Sequence, residues 1–230
     1  MRKGLLPAVA ALGIALGGPL AEAADNHGFL RRGPYIGGGL GGQFGSTARC
    51  PELNSDIGIR NVVSCDRSYV EHRAGKLFFG YQVFPYVAVE ASHIWMGKFI
   101  DTSSGTLSGV QTTNATTARP YVLAIDAVGT LPTSNDLAIL VRLGWSAWRI
   151  PYSTTSVAAG GSVTVRSGTD FGLLGFQAGT GVKYLWNRNL EVRAELQALW
   201  CCSINANIFH NNETWGTSYL ASASMVYLFR

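Results

Sequence analysis

Charge is scarce in this sequence. Only 14% of its 230 residues are Asp, Glu, Lys or Arg, against 47% that are hydrophobic. That balance is the reverse of the one that keeps a chain disordered. The formal net charge is +4 and scattered, too little for the basic footprint of a nucleic-acid binder. Cysteine is sparse at 4, and no Cys-x-x-Cys pair occurs, which argues against a structural zinc site. Glycine is frequent at 28 but has no every-third-residue period, so the chain is not collagen-like. Long apolar runs are missing as well. Beyond the first 25 residues none reaches the roughly 18 that a membrane helix needs. The composition suits a membrane protein, yet no helix could span.

The N-terminal segment has three parts. Arg2 and Lys3 give a positive start, Leu5 to Leu16 is apolar, and Gly17, Gly18 and Pro19 break that stretch. Ala21-Glu22-Ala23 is a small-x-small cleavage site. This pattern predicts a secretory signal peptide over 1–23, a lead-in on the periplasmic side over 24–33, and a single domain over 34–230. Export carries the chain into an oxidising compartment.

Period-two segments predict eight strands, over 34–45, 69–81, 86–97, 118–130, 137–149, 170–185, 190–201 and 217–229. In 190–198, Leu190, Val192, Ala194, Leu196 and Ala198 share one face, and Glu191, Arg193, Glu195 and Gln197 share the other. The connections alternate in length. Those over 82–85, 131–136 and 186–189 are short, whereas 46–68, 98–117, 150–168 and 202–216 are long and rich in Ser, Thr, Gly and Asn. Short turns at one end and long loops at the other define an up-and-down antiparallel barrel.

Three features put the apolar face outward, toward lipid. The strands are long enough to cross the hydrocarbon when tilted. Aromatics gather at strand ends as girdles: Tyr35, Tyr81, Tyr86, Trp95, Trp145, Tyr184, Trp186, Tyr227 and Phe229, with Tyr121, Trp148, Trp200 and Tyr219 besides. Strand charges are few and balanced: Lys76, Arg142, Lys183 and Arg193 against Glu90, Asp126, Glu191 and Glu195. Only closed barrels let a sheet span lipid, because every edge group must be paired. The reading is therefore all-β: a transmembrane up-and-down barrel of eight strands, with short periplasmic turns and long extracellular loops.

Certain segments also resemble a known family. Tyr35-Ile36-Gly37-Gly38-Gly39-Leu40-Gly41 opens the first strand. Lys76 to Tyr81 with Pro85 to Glu90 spans the first turn, Gly179 to Tyr184 with Leu190 to Glu195 spans the third, and Ser222 to Phe229 closes the set. Their order and spacing resemble the eight-stranded OmpA-like outer-membrane barrels of Gram-negative bacteria. The resemblance implies an outer-membrane location, contact with membrane lipids and lipopolysaccharide, and insertion by the barrel-insertion machinery. It also implies a charge network that plugs the lumen. There are two departures. Arg230 follows the terminal aromatic Phe229, and the chain stops at the eighth strand, so no peptidoglycan role is carried over.

The eight charges are expected to pair inside the lumen, since a lone buried charge costs several kcal/mol. Switching of partners would make a narrow gated pore. The glycines of the first strand would make room for long lumen side chains or allow sharp curvature. Cys50 and Cys65 are expected to form a disulfide, while the pairing of Cys201 and Cys202 stays open. Ser92 and His93 are strand neighbours that point to opposite faces, so they cannot form a nucleophile and base. His93 suits a lipid-headgroup contact. His210 near Glu213 and Ser218 is a coincidence that polar loops produce freely. No cofactor, metal or catalytic site is expected. The expected role is structural or surface-interacting, with a host or surface ligand at the loops. The alternatives are a narrow porin-like channel and a lipid-modifying enzyme.

Overall fold

The computed structural model describes residues 32–46, 59–107, 110–201 and 217–229, and every regular element within them is a strand. In chain order these are β1 (Gly33–Ser46), β2 (Ile59–Tyr69), β3 (Arg73–Phe84), β4 (Val87–Trp95), β5 (Phe99–Leu107) and β6 (Val110–Ala118). Then come β7 (Tyr121–Pro132), β8 (Leu137–Ala158), β9 (Val163–Asn187), β10 (Leu190–Trp200) and β11 (Thr217–Leu228). The expected signal peptide lies outside the described residues.

Eight of these strands form a closed antiparallel ring, β1-β3-β4-β7-β8-β9-β10-β11, and β11 pairs back onto β1. Stepping across the ring from Gly33 through Gln82, Ala88, Val128, Arg142, Gly179, Gln197 and Leu220 ends at Gln43, ten residues further along β1. A stagger of that size, with about 3.3 Å per residue and about 4.8 Å between strands, tilts the strands about 40° from the barrel axis. The 12 residues of β3 then climb about 30 Å, enough for the hydrocarbon layer.

Burial alternates along the ring strands, with a shift of phase at a bulge in β9. Leu77, Phe79, Leu123, Ile125, Leu143 and Met225 face outward and are exposed, while the residues between them are buried. The short turns are fixed by side chains that supply the missing backbone partners. Asn187 Oδ1 accepts from the amides of Asn189 and Leu190, both at 2.9 Å. At the first turn Gln82 Nε2 donates to the carbonyls of Phe84 (2.8 Å) and Pro85 (3.0 Å).

The sequence-based strand limits need correction at several points. The second and fourth predicted strands begin at Arg73 and Tyr121, and they run on to Phe84 and Pro132. Three of the predicted long loops carry strands. Beyond the ring, β2, β5, β6 and the outer halves of β8 and β9 form a second antiparallel sheet in that order, continuous with the barrel wall. Threonine is β-branched and favours strands. Here Thr, Ser and Asn lie on both faces, so hydrophobic alternation gives no sign of it. Asn114, the first residue of a glycosylation-type triplet, is buried within this sheet.

Candidate functional site: the barrel lumen and its outer rim

The inward phase of the ring fills the lumen in layers. Tyr35, Phe78, Ala88, Val128, Leu140 and Val226 form an apolar cluster nearer the short turns. A second cluster nearer the loops includes Ile94, Val122, Trp148, Ile150, Leu199 and Leu220. All eight charges expected in the lumen lie inside the ring, none more than 4% exposed.

Arg142 of β8 is the centre of the network. Its Nη2 lies 2.6 Å from Glu90 Oε1 and 3.1 Å from Glu195 Oε2, and its Nη1 lies 2.5 Å from Asp126 Oδ2. Lys76 Nζ stands 3.3 Å from Glu195 and 3.5 Å from Glu90. Arg193 continues the chain, with Nη1 2.8 Å from Glu90 and Nε 2.5 Å from Glu191. Lys183 closes it at 3.4 Å from Glu191. Four cations and four anions balance, so the low-dielectric interior holds no net charge from these groups. The eight come from six strands (β3, β4, β7, β8, β9 and β10), so the network ties opposite walls together.

Three residues joined to this network, Tyr35, Gln177 and Gln197, were not assigned to it from the sequence. Tyr35 was placed in the aromatic girdle, but it is buried and its hydroxyl donates to Glu90 Oε2 at 3.2 Å. The Arg193 guanidinium lies 5.0 Å from its ring centroid and 5.2 Å from that of Phe78. Gln177 donates to Asp126, and Gln197 donates to Glu195 at 2.5 Å. The sequence already puts Gln197 on the charged face of its strand, and carrying the inward phase six residues back from Lys183 would have found Gln177. Glycine makes space for the aromatics: a Cβ at Gly80 would run into the Tyr35 ring, and one at Gly37 into Phe78. A cavity of about 20 Å³ beside Tyr35, Gln82, Lys183, Glu191 and Arg193 has room for about one water.

On the outer surface Tyr81, Tyr184, Trp186, Tyr227 and Phe229 are exposed near the short turns, and Trp95 and Trp145 lie toward the loops. Trp148, like Tyr35, points inward, and Tyr86 sits half-buried against Ala138 and Leu185 in a turn. These three leave the outward girdle because each has the inward parity of its strand or lies in the turn. His93 faces outward, its ring 4.6 Å from Trp95, while Ser92 is buried inside. Cys201 is disulfide-bonded. The expected Cys50–Cys65 bridge falls on side chains outside the described residues, as do His210 and Glu213.

A family model described as the OmpA-like transmembrane domain matches residues 34–230. The chain belongs to this family. It is therefore an OmpA-like outer-membrane β-barrel. Outer membrane protein A of Klebsiella pneumoniae is 31% identical over 125 residues, which cover 52% of this chain and 31% of the relative. The match thus spans about a third of that relative's length. Among solved structures, the outer membrane protein OprG of Pseudomonas aeruginosa is 12% identical, with 89% of this chain and 99% of that chain covered and a TM-score of 0.45. The attachment invasion locus protein Ail of Yersinia pestis is 12% identical, with 86% and 100% covered and a TM-score of 0.43. Neisserial surface protein A is 13% identical, with 85% and 97% covered and a TM-score of 0.40.

Proposed function

We propose that this member of the family is a structural and surface-interaction barrel that conducts nothing through its lumen. The occupied lumen is the observation that carries this reading. Arg142, Lys76, Gln43, Gln177, Gln197, Leu140, Ile150, Leu199 and Leu220 are each below 2% exposed. A conducting path needs a continuous hydrated column, whereas here an apolar cluster fills the lumen toward the loops, and toward the short turns the paired charges interleave with a second apolar cluster. With the interior closed, interaction with other molecules falls to the outer surfaces.

The sheet beyond the rim supports a surface role. Its outward face presents Thr102, Thr113, Thr117, Ser153 and Thr155, a set of short hydroxyls on paired strands. Such a face hydrogen-bonds polar partners, a host glycan or a surface protein, at little cost in side-chain entropy. Ser92 and His93 stand on opposite sides of the barrel wall, which does not favour an acyl-transfer enzyme.

The test is to replace Thr102–Ala115, the outer part of the β5–β6 hairpin, by Asn-Gly in cells lacking the native gene. The expected result is a barrel that still shifts on SDS gels between unheated and heated samples and still restores resistance to detergent. Binding of the cells to host surfaces should fall. Unchanged surface binding together with solute flux through the wild-type barrel would overturn the reading in favour of a channel.

A further inference from the structure

The sheet beyond the rim ends in two unlike edges. At one, β2 carries Arg60, Asp66 and Arg67 in its sequence, and its pairing with β5 is irregular between Arg60 and Ser64. Charges and irregular pairing keep an edge strand from joining another chain. The other edge is the outer half of β9. From Val163 to Gly172 it pairs with Val157 to Trp148 of β8 in unbroken register. Among the described residues its far side pairs with nothing until Phe176 meets Trp200 of β10. No proline or lysine interrupts it. Val163, Val165 and Phe171 are each at least 60% exposed, and Arg166 and Ser167, on alternate faces, are exposed as well. Exposed apolar residues along a straight, open edge mark a place where another strand can be added.

This edge is complementary to itself. Antiparallel pairing with a second copy, about a twofold axis at Gly168, sets Ser167 across from Thr169 and Val165 across from Phe171. It also sets Arg166 across from position 170, an aspartate, and each of these pairs occurs twice. Opposite charges and apolar pairs directly across a ladder both favour that register. A slip of one residue sets Val165 across from position 170, or Arg166 across from Phe171, and the charge pairs are lost. Glycine meets glycine at the axis, where no side chain crowds.

The symmetry also fixes where the second copy stands. A twofold axis between antiparallel strands is perpendicular to their sheet. This sheet continues the barrel wall, so its perpendicular lies close to the membrane plane. Rotation about such an axis turns the second barrel upside down. Two copies in one membrane cannot be related in that way, whereas two copies in facing membranes can. Counting the stretch from Phe176 at the rim to Gly168 in each copy, with about 3.3 Å per residue and the tilt of the ring, the two rims stand about 40 Å apart.

We propose that the outer edge of β9 is a homophilic adhesion site, joining two copies in facing membranes into one continuous sheet across Gly168. The proposal rests on the surface-interaction reading and names a second copy of this chain as the partner.

The experiment uses the full chain refolded into phosphatidylcholine vesicles at low salt, where surface charges are least screened. Two vesicle populations carry donor and acceptor dyes, and clustering is read by light scattering and energy transfer. Wild-type vesicles should cluster. Arg166→Glu sets like charges across from each other twice and should cut clustering about tenfold, as should Asp170→Arg. Mixing vesicles of these two variants should restore clustering, because a carboxylate at 166 then faces a guanidinium at 170 and the native charges pair at the other end. A merely structural role for Arg166 would not be rescued by a chain in another vesicle. Arg188→Glu, in the β9–β10 turn at the far end of the barrel, should cluster as the wild type does. Dispersed wild-type vesicles, undiminished clustering of Arg166→Glu, or a mixture that stays dispersed would each overturn the proposal. Heat-dependent gel mobility shows that each variant is folded. No host surface is present, so failure here is distinguishable from failure of the host-contact reading, which the β5–β6 replacement tests.

Discussion

Arg142 shows what a buried charge does in this barrel. It is fully enclosed and touches three carboxylates from three other strands. A buried ion pair adds little net stability relative to a well-packed apolar pair, but removing one partner strands the others in low dielectric. Arg142→Ala is therefore expected to cost about 3–5 kcal/mol, measured as the free energy of urea unfolding in lipid vesicles. Tyr35→Phe removes one hydroxyl bond to Glu90 (3.2 Å) and should cost about 1 kcal/mol in the same assay. If Tyr35 faced lipid as a girdle residue, its hydroxyl would contribute little there and the loss would be close to nil. Tyr35 could not be read correctly from sequence, because a tyrosine near the start of a strand suits a lipid interface and a lumen hydrogen bond equally. The eight charges were legible, since no lipid-facing position tolerates them.

At the scale of a strand, polar residues inside and apolar residues outside specify the register. A slip of one residue exchanges the two faces. For β8 it would place Arg142 in lipid, at about 2–4 kcal/mol near the midplane, and bring Leu143 into the charge layer. Had both faces been apolar, nothing would have opposed such a slip. The same argument sets the cost of a lipid-facing charge. Ile125 is outward and 62% exposed, so Ile125→Arg should destabilise the barrel by about 2–4 kcal/mol in vesicle unfolding. A shift near zero would mean that this face meets water. The ring strands were readable from alternation because their two faces differ in polarity. The strands β2, β5 and β6 were not, because a sheet that stands in water beyond the rim is polar on both faces. The apolar lumen layers were missed for a related reason: where Ile94, Val122 or Leu220 faces inward opposite an apolar outward neighbour, composition carries no phase.

For the molecule as a whole, the asymmetry of the connections fixes its placement. The turns at one end are a few residues long, while the other end carries a second sheet, β2-β5-β6-β8-β9, that projects past the aromatic rim. Closure of β11 on β1 removes the open edges of the ring, the condition for a sheet to exist in hydrocarbon. The eight-stranded ring is narrow enough for side chains to fill it, and here they do so with a balanced ion network and two apolar clusters. The reading proposed from this arrangement is a sealed barrel whose functional surfaces are external. Single-channel recording of the purified chain in a planar bilayer tests this directly. A sealed lumen gives no stepwise current in wild-type protein under moderate voltage, in concentrated KCl. Steady ohmic steps from the heat-shifting, folded form would contradict a closed interior and assign the ion network to a gate.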